Sequence, residues 1–356
     1  MVVKRGAAIN PANPFERFHV EEDPEAVEEL RRIDPEWEPP APKTAFFVDD
    51  TQTLITKNDS PDLSFDASLN PYRGCEHGCS YCYARKFHEF LGFSSGLDFE
   101  TKIMVKPRAP GLLRAEMSRK SWKPIKLAMS GVTDCYQPVE RKLRITRGCL
   151  EVLADFRNPV VVITKNHLVT RDVDVLAELA RWQCGAVLIS ITTLDRDLAA
   201  AMEPRASGPA MRLRAIRTLA DAGIPVGVSV SPIIPGLNDN EIAPILESAR
   251  DAGAHFATYS LVRLQGTVAD VFAEWLERNV SAAKKEAILS RIRESHGGRL
   301  GDTRPGVRMT GEGERAAQIG QLFRALSRRI GFEGVRPHVV SSHFRRREPG
   351  QLELEL

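Results

Sequence analysis

Short apolar blocks alternate with segments of helical period along the middle of the chain. The blocks are rich in Val, Ile, Leu and Ala and are bounded by breaker residues, as buried strands are; they span residues 63–69, 102–105, 125–130, 160–164, 186–191, 226–230 and 256–260. Between most of them, apolar residues recur every three or four positions, which predicts helices at 143–156, 173–182, 209–222 and 240–252. This alternation predicts an α/β fold with a parallel sheet and right-handed crossovers.

The number of units narrows the architecture. About six βα units lie between Leu63 and Leu261, whereas a closed eight-unit barrel needs about 250 residues. Six units fit an open, partial (β/α)6 barrel of the TIM type, and a flat doubly wound sheet fits the same alternation. In either architecture ligands bind at the carboxyl ends of the strands.

The two flanks differ from this core. We expect residues 1–60 to be a partly disordered extension, with a short helix after Asp23 and a stiff linker at the prolines of 39–42. The core is expected to span 61–265. Residues 266–356 are expected to form a mostly helical region, with helices at 268–276, 282–293 and 314–329.

A cysteine-rich loop follows the first predicted core strand. Cys75, Cys79 and Cys82 have the spacing C-x3-C-x2-C, and three thiolates on one loop can hold three corners of a cubane iron–sulfur cluster. Full ligation of such a cluster takes four cysteines, so one iron would keep an open position. A zinc site with His77 or His88 as the fourth ligand is the alternative, although structural zinc sites usually show paired ligands at two separate places.

Polar or small residues also end the other core strands. We expect these side chains to converge at one end of the sheet, because parallel strands share their carboxyl edge. The candidates are Ser130, Thr133 and Cys135 after the second core strand, Lys165 after the third, Ser190 in the fourth, Ser229 and Ser231 in the fifth, and Arg263 after the sixth.

Composition and charge exclude some classes of protein. Of the 356 residues, 42% are apolar and 27% charged, as in a soluble globular protein. The chain has no run of about 18 apolar residues, so no membrane span is expected. It has no long apolar segment near Met1, so no signal peptide is expected. Free cysteines then favour a reducing, cytoplasmic location. The net charge of +2 is too small to indicate nucleic-acid binding by itself.

The cysteine spacing, with Tyr81 before the last Cys, resembles the signature of the radical S-adenosylmethionine (SAM) superfamily. Further motifs resemble its SplB-like branch, which includes spore photoproduct lyase and proteins labelled DNA repair photolyases. These motifs are Thr-Asp-Cys-Tyr-Gln-Pro-Val-Glu at 133–140 and Pro-Ile-Ile-Pro-Gly-Leu-Asn-Asp at 232–239. The resemblance implies an enzyme with a [4Fe–4S] cluster, in which one electron cleaves SAM to a 5′-deoxyadenosyl radical that abstracts hydrogen from a substrate. It also implies an external one-electron reductant of the flavodoxin or ferredoxin type.

The resemblance implies a role for each residue that matches a functional position of the family. It implies that Cys75, Cys79 and Cys82 hold the cluster and that Ser130 and Thr133 help to bind the methionine amine of SAM. It further implies SAM contacts from the polar strand ends Lys165, Ser190 and Ser231.

One departure from the family pattern concerns the reaction. Spore photoproduct lyase has a hydrogen-donating cysteine in the loop after the second strand, and by alignment that place lies close to Gly131 here. Cys135 is the nearest cysteine and is the candidate hydrogen donor if the loop turns it inward. It fits equally well as a small buried residue, as free cysteines often are. This departure weakens the case for thymine-dimer repair.

The substrate is not fixed by these patterns. Arginines at 345–347, together with Arg299, Arg304 and Arg308, are candidates for phosphate contacts. DNA is therefore one candidate substrate, modification of a protein or a tRNA is a second, and a non-catalytic zinc module is the alternative from another class.

Overall fold

A computed structural model describes residues 4–16, 24–33, 42–332 and 339–346. Ten strands form two sheets. The strands are β1 (Ala45–Val48), β2 (Ile55–Lys57), β3 (Ala67–Leu69), β4 (Tyr72–Arg73), β5 (Lys102–Val105), β6 (Leu127–Met129), β7 (Val160–Thr164), β8 (Gly185–Ser190), β9 (Val226–Ile233) and β10 (Phe256–Leu261).

Thirteen α-helices occur in the described residues. They are α1 (Pro24–Ile33), α2 (Lys86–Glu89), α3 (Leu97–Thr101), α4 (Ala109–Ser118), α5 (Glu140–Leu143), α6 (Ile145–Phe156), α7 (Val173–Arg181), α8 (Arg196–Met202), α9 (Pro209–Asp221), α10 (Ile242–Asp251), α11 (Val268–Asn279), α12 (Ala282–Glu294) and α13 (Glu314–Ile330). Short 3₁₀ helices lie at Tyr83–Arg85, His167–Asp172 and Asp239–Glu241.

The large sheet has the order β10-β9-β8-β7-β6-β3-β2. Its six parallel strands, β3 and β6 to β10, lie side by side in chain order, and β2 adds antiparallel to β3 at one edge. A doubly wound sheet reverses its strand order at a switch point, and this order does not reverse. Right-handed crossovers that always advance in one direction place their helices on one face, as in a barrel. The predicted six-unit α/β core is confirmed, and the doubly wound alternative is wrong.

The predicted strand at 102–105 exists but belongs to the small sheet. There β5 pairs parallel with β1 and antiparallel with β4. The apolar block predicted a strand correctly, but a block of four residues does not specify its partner, so its grouping with the core strands was wrong.

The core strands are as apolar as strands covered on both faces must be. All three residues of β6 are buried, and only Leu188 of β8 is partly accessible. Burying each large side chain contributes roughly 1.5–3 kcal/mol. These short strands therefore act as a rigid frame for the polar residues at their carboxyl ends.

The flanks agree only in part with expectation. The three helices predicted in the carboxyl-terminal region are present as α11, α12 and α13. The short amino-terminal helix is present as α1, whereas its predicted cap, Asp23, and the prolines of 39–41 lie outside the described residues. Residues 4–16 are not a loose extension, because they pack against the cysteine loop, as shown below.

No helix in the described residues is long and apolar enough to cross a membrane.

Two glycines give opposite expectations for one added methyl group. On β9, a Cβ at Gly227 would lie 2.3 Å from the Phe256 ring, so Gly227→Ala should lower the free energy of unfolding by about 1–3 kcal/mol. In α4, nothing lies within 4 Å of a Cβ at Gly111, so Gly111→Ala should raise it by about 0.5–1 kcal/mol. Urea denaturation of both variants checks the signs, and equal effects would contradict the packing at β9.

Candidate active site at the cysteine loop

The cysteine loop, residues 74–82, runs from the end of β4 to the 3₁₀ helix Tyr83–Arg85, beyond the carboxyl end of β3. Gly74 and Gly78 have φ of +76° and +68°, a conformation that a side chain would strain. Both allow the chain to turn sharply on either side of Cys75. All three cysteines of the loop are free thiols; Cys75 and Cys79 are buried, and Cys82 is partly exposed.

Several distant segments bond the backbone of this loop. Cys75 N–H donates to the carbonyl of Phe99 at 2.9 Å, and Ser80 N–H donates to that of Met202 at 3.0 Å. Glu76 N–H donates to the Gln137 side chain at 2.9 Å. An irregular segment cannot bond its own backbone as a helix or strand does, so the surrounding elements fix its shape.

A buried ion pair supports the loop from one side. Arg85 Nη2 lies 2.5 Å from Glu100 Oε1, and both side chains are fully buried. The same guanidinium donates through Nε to the carbonyl of Cys79 at 2.9 Å and through Nη1 to the carbonyls of Ser95 and Gly96. Arg85 therefore ties the backbone at Cys79 to Glu100.

The amino-terminal arm, residues 4–16, completes this contact. Gly6 N–H and Ala7 N–H donate to the two carboxylate oxygens of Glu100 at 3.0 and 2.8 Å. A Cβ on Gly6 would lie 1.6 Å from the carbonyl oxygen of Gly78, so only glycine permits this approach. Asn13 anchors the far end of the arm by donating to the carbonyl of Glu89 at 2.9 Å. The arm is thus part of the wall of the site.

A second buried network joins the loop to the barrel. Tyr81 Oη and Arg212 Nη2 both contact the Glu203 carboxylate, which also accepts from Thr192 Oγ1 at 2.7 Å. Burial acts to raise the pKa of Glu203, but Arg212 and then Lys165 lower it to about 2. Glu203 is therefore a permanent anion next to the ring that precedes Cys82.

Asp134 organises the far side of the loop. Its carboxylate accepts from Thr164 Oγ1 at 2.7 Å and from Lys165 N–H at 2.8 Å, and it lies 3.3 Å from His77 Nδ1. Burial acts to raise the pKa of Asp134, whereas the His77 ring and these hydrogen bonds lower it to about 2. The other ring nitrogen of His77 bonds Asn166 at 2.9 Å, so His77 links the cysteine loop to the end of β7.

The predicted polar strand ends do meet at this edge. Lys165 follows β7, and its Nζ lies 3.4 Å from the Ser231 carbonyl and 5.9 Å from the Tyr81 ring centroid. The Ser231 hydroxyl bonds that of Ser229 at 2.8 Å within β9. Ser190 is the last residue of β8 and is buried. One lysine and several hydroxyls therefore lie around the loop.

Two predicted SAM contacts are occupied by bonds within the protein. Ser130 Oγ accepts from Cys135 N–H at 2.9 Å, and Thr133 Oγ1 donates to the Gly74 carbonyl at 2.6 Å. Ser130 also has a φ of +90°, which is rare for a residue with a side chain. Both residues therefore shape the loop after β6 and hold it against the cysteine loop.

Cys135 is fully buried and belongs to the main hydrophobic core. Burial, and next the Asp134 carboxylate, raise the pKa of this thiol. This burial favours a role as a small core residue, and the role of Cys135 as a hydrogen donor stays a prediction.

The zinc alternative finds no free ligand in His77. Its two ring nitrogens are engaged by Asp134 and Asn166. Structural zinc sites usually pair their ligands at two separate places, whereas the three free cysteines here lie on one loop. Cysteine thiolates are the ligands that hold iron–sulfur clusters.

The arginines considered for phosphate contact mostly bind the protein itself. Arg345 and Arg346 donate to the carbonyls of Asp155 and Trp122 at 3.0 and 2.7 Å. Arg304 pairs with Asp302 and Arg308 with Asp62. Arg347 lies outside the described residues. Four of the six candidate arginines are therefore held by acceptors within the protein, and Arg299 is exposed.

Sequence analysis missed Arg85 and Glu100 as parts of the site. Each lies in a segment whose pattern predicts only a helix or a loop, and neither belongs to a motif with a known chemistry. A weak signal was present, because Glu100 directly follows Phe99, and a carboxylate that is buried together with that ring needs a partner.

Comparisons with known proteins show the family of this chain. Residues 69–249 match the model of the radical SAM superfamily. An uncharacterised protein of Mycobacterium tuberculosis is 35% identical over 218 residues, which cover 61% of this chain and 64% of that protein. An uncharacterised protein of Methanocaldococcus jannaschii is 31% identical over 173 residues, which cover 49% of this chain and 62% of that protein. The chain thus spans less than two thirds of each relative.

The fold is also similar to a solved structure. Spore photoproduct lyase complexed with dinucleoside spore photoproduct superposes with a TM-score of 0.57 at 18% identity, over 81% of this chain and 80% of that one. At this identity the similarity concerns the fold alone, and it confirms the architecture predicted from the resemblance.

Replacing Glu100 tests whether its ion pair with Arg85 stabilises the cysteine loop. Glu100→Gln keeps the shape of the side chain but leaves the buried Arg85 guanidinium uncompensated, so the free energy of unfolding should fall by about 3–5 kcal/mol. Chemical denaturation of the metal-free protein measures this. Glu116→Gln is the matched control, since its pair with Arg119 is exposed and should contribute about 0.5 kcal/mol or less. Equal losses in the two variants would contradict the role given to Glu100.

Proposed function

Because the chain belongs to the radical SAM superfamily, we propose that it is an enzyme that binds a [4Fe–4S] cluster through Cys75, Cys79 and Cys82 and acts on SAM. The observation that carries this proposal is the placement of three free cysteines on one loop beyond the carboxyl ends of six parallel strands. When bound, the cluster supplies the electron for reductive cleavage of SAM, which is how this family generates a radical that abstracts hydrogen from a substrate.

The loop's surroundings support cluster binding in two ways. Cys75 packs with Ala84 and Phe99 in a small apolar cluster, and Cys79 packs among the apolar side chains next to Met202. These contacts exclude water from two of the three thiols. The bonds from Arg85 and Gln137 fix the backbone on which the thiols are carried, so the three ligands keep their spacing.

Lys165 is the residue we propose for the carboxylate of SAM. It is anchored by its own backbone N–H on Asp134, and its ammonium is near Tyr81 and the end of β9. An ammonium offers a full charge and three donors to a carboxylate. The hydroxyls of Ser190 and Ser231 are proposed as neutral contacts at the same edge.

Ser130 and Thr133 are proposed to act through the backbone. Since their hydroxyls are bonded to Cys135 N–H and the Gly74 carbonyl, they hold the loop after β6 in the shape that would face SAM. Their proposed role is therefore positioning, and any methionine amine would meet the carbonyls of this loop.

The candidate substrates are DNA, a protein and a tRNA. The burial of Cys135 and the internal pairing of the carboxyl-terminal arginines give no support to a spore photoproduct lyase-like repair reaction. The proposal requires an external one-electron donor of the flavodoxin or ferredoxin type.

Iron content tests the ligand set. Replacing Cys75, Cys79 or Cys82 by Ala should abolish the [4Fe–4S] cluster after anaerobic reconstitution, because two thiolates hold it too weakly. Iron analysis and the visible absorption of the cluster provide the measurement. Cys149→Ala, at a buried thiol in α6, is the control and should keep the iron.

Cys135→Ala should also keep the cluster and reductive SAM cleavage. A reconstituted parent protein that yields neither 5′-deoxyadenosine nor methionine would refute the enzymatic proposal, and loss of iron in Cys135→Ala would show that the ligand set is incomplete.

Lys165→Met tests the SAM site. It should leave the iron content unchanged and weaken SAM binding about tenfold, which corresponds to about 1.4 kcal/mol for a lost charge-assisted hydrogen bond. Equilibrium dialysis with labelled SAM measures the affinity. Lys102→Met, at a lysine that pairs with Asp98 away from the cysteine loop's thiols, should bind SAM normally; an unchanged affinity in Lys165→Met would remove this residue from the site.

A further inference from the structure

A cavity of about 270 Å³ lies beside the cysteine loop, on the side of the small sheet. Its lining includes Ala84, Phe99 and Val132. These three residues also belong to the apolar cluster that includes Cys75. Gly74, the first residue of the cysteine loop, lines the cavity directly, so the cavity adjoins that loop.

A buried lysine lines this cavity. Lys106 follows β5 and is only 6% exposed. Its backbone N–H donates to the Pro71 carbonyl at 3.1 Å, but among the described residues its ammonium has no hydrogen bond or ion pair. Burial, and next the charge of Arg73, lower the pKa of Lys106. The Asp49 carboxylate acts on Lys106 in the opposite direction, but it is held by Arg73. A buried cation without a hydrogen-bonding partner is costly, which indicates that this position serves a ligand.

The charge of the lining is one-sided. Arg73 lines the cavity as well and is held by Asp49 at 2.8 Å, with its side chain 40% exposed. The described lining contains these two cations and no acidic side chain. An anionic group would meet complementary charge here.

Part of the remaining wall is aromatic. Phe87, Phe90 and Phe99 line it, and the Phe87 and Phe90 rings lie 6.4 Å apart between centroids. Phe90 is 67% exposed although its ring centroid lies 5.0 Å from that of Phe15. Accessible apolar rings beside a buried lysine are typical of a pocket that binds an amphipathic small molecule.

We propose that this cavity is a binding site for a small acid: a planar apolar body held against the phenylalanines, with a carboxylate or a phosphate monoester on Lys106. The size fits, because an engineered cavity of about 150 Å³ holds a benzene ring and this one leaves room for the acidic group. The site is independent of the cluster chemistry proposed above, so either proposal can fail alone.

Binding of two probes tests the site on the full-length, reconstituted protein. Benzoate and phenyl phosphate are titrated by ligand-observed NMR, with benzyl alcohol as the neutral probe. We expect at least one acid to bind with a dissociation constant of about 1 mM or tighter, and at least about tenfold tighter than the alcohol. The stronger of the two acids identifies the head group.

Two variants distinguish the contribution of the Lys106 charge to binding from that of the phenylalanine rings. Lys106→Met should weaken binding of the acids about tenfold or more, keep benzyl alcohol binding unchanged, and raise or preserve the melting temperature, because a buried charge without a partner is removed. Phe90→Ala, at an exposed side chain, should weaken the acids and the alcohol alike by about three- to tenfold. Lys102→Met on the same strand is the matched control and should change neither.

Cluster content and SAM cleavage are measured in parallel and should be unaffected by Lys106→Met and Phe90→Ala. The proposal is overturned if neither acid binds at concentrations up to tenfold above the expected dissociation constant. It is also overturned if Lys106→Met binds both acids as the parent does, or if benzyl alcohol binds as tightly as the acids.

Discussion

The loop that carries the three cysteines has almost no regular structure, so two buried charge pairs determine its shape. Arg85, paired with Glu100, binds it on the side of the amino-terminal arm, and Glu203, paired with Arg212, binds Tyr81 on the side of the barrel. Desolvated charges are stabilising only when their bonds are complete. Here each carboxylate accepts several donors, which makes both pairs intolerant of small displacements. The spacing of the thiols is thus set by electrostatics at the base of the loop.

The frame beneath the loop was largely predictable from the sequence. Six apolar blocks separated by helical segments gave the parallel core, since periodicity and breaker residues report burial directly. The pairing between strands was harder to predict. Residues 102–105 have the same pattern as the core strands but pair with β1 and β4. The strand order, which distinguishes a barrel from a doubly wound sheet, is a tertiary property that local patterns do not contain.

The residues of the candidate site could be predicted where they belong to a local motif with a known chemistry. The other residues of the site could not. The cysteine spacing and Lys165 at the end of β7 were visible because strand ends and ligand spacings are local features. Glu100 was not visible, since its importance arises from Gly6 and Arg85, which are distant in the chain or lack a motif of their own. The sequence left the surroundings of Cys135 open for a similar reason: the direction in which a loop turns one side chain depends on bonds such as that from its N–H to Ser130.

The contact between Gly6 and Gly78 also orders events during synthesis. The arm leaves the ribosome before the loop it covers, but its acceptor, Glu100, is made 94 residues after Gly6, and Arg278, which donates to the Gly6 carbonyl, is made later still. The arm therefore cannot complete its docking until most of the chain has been made.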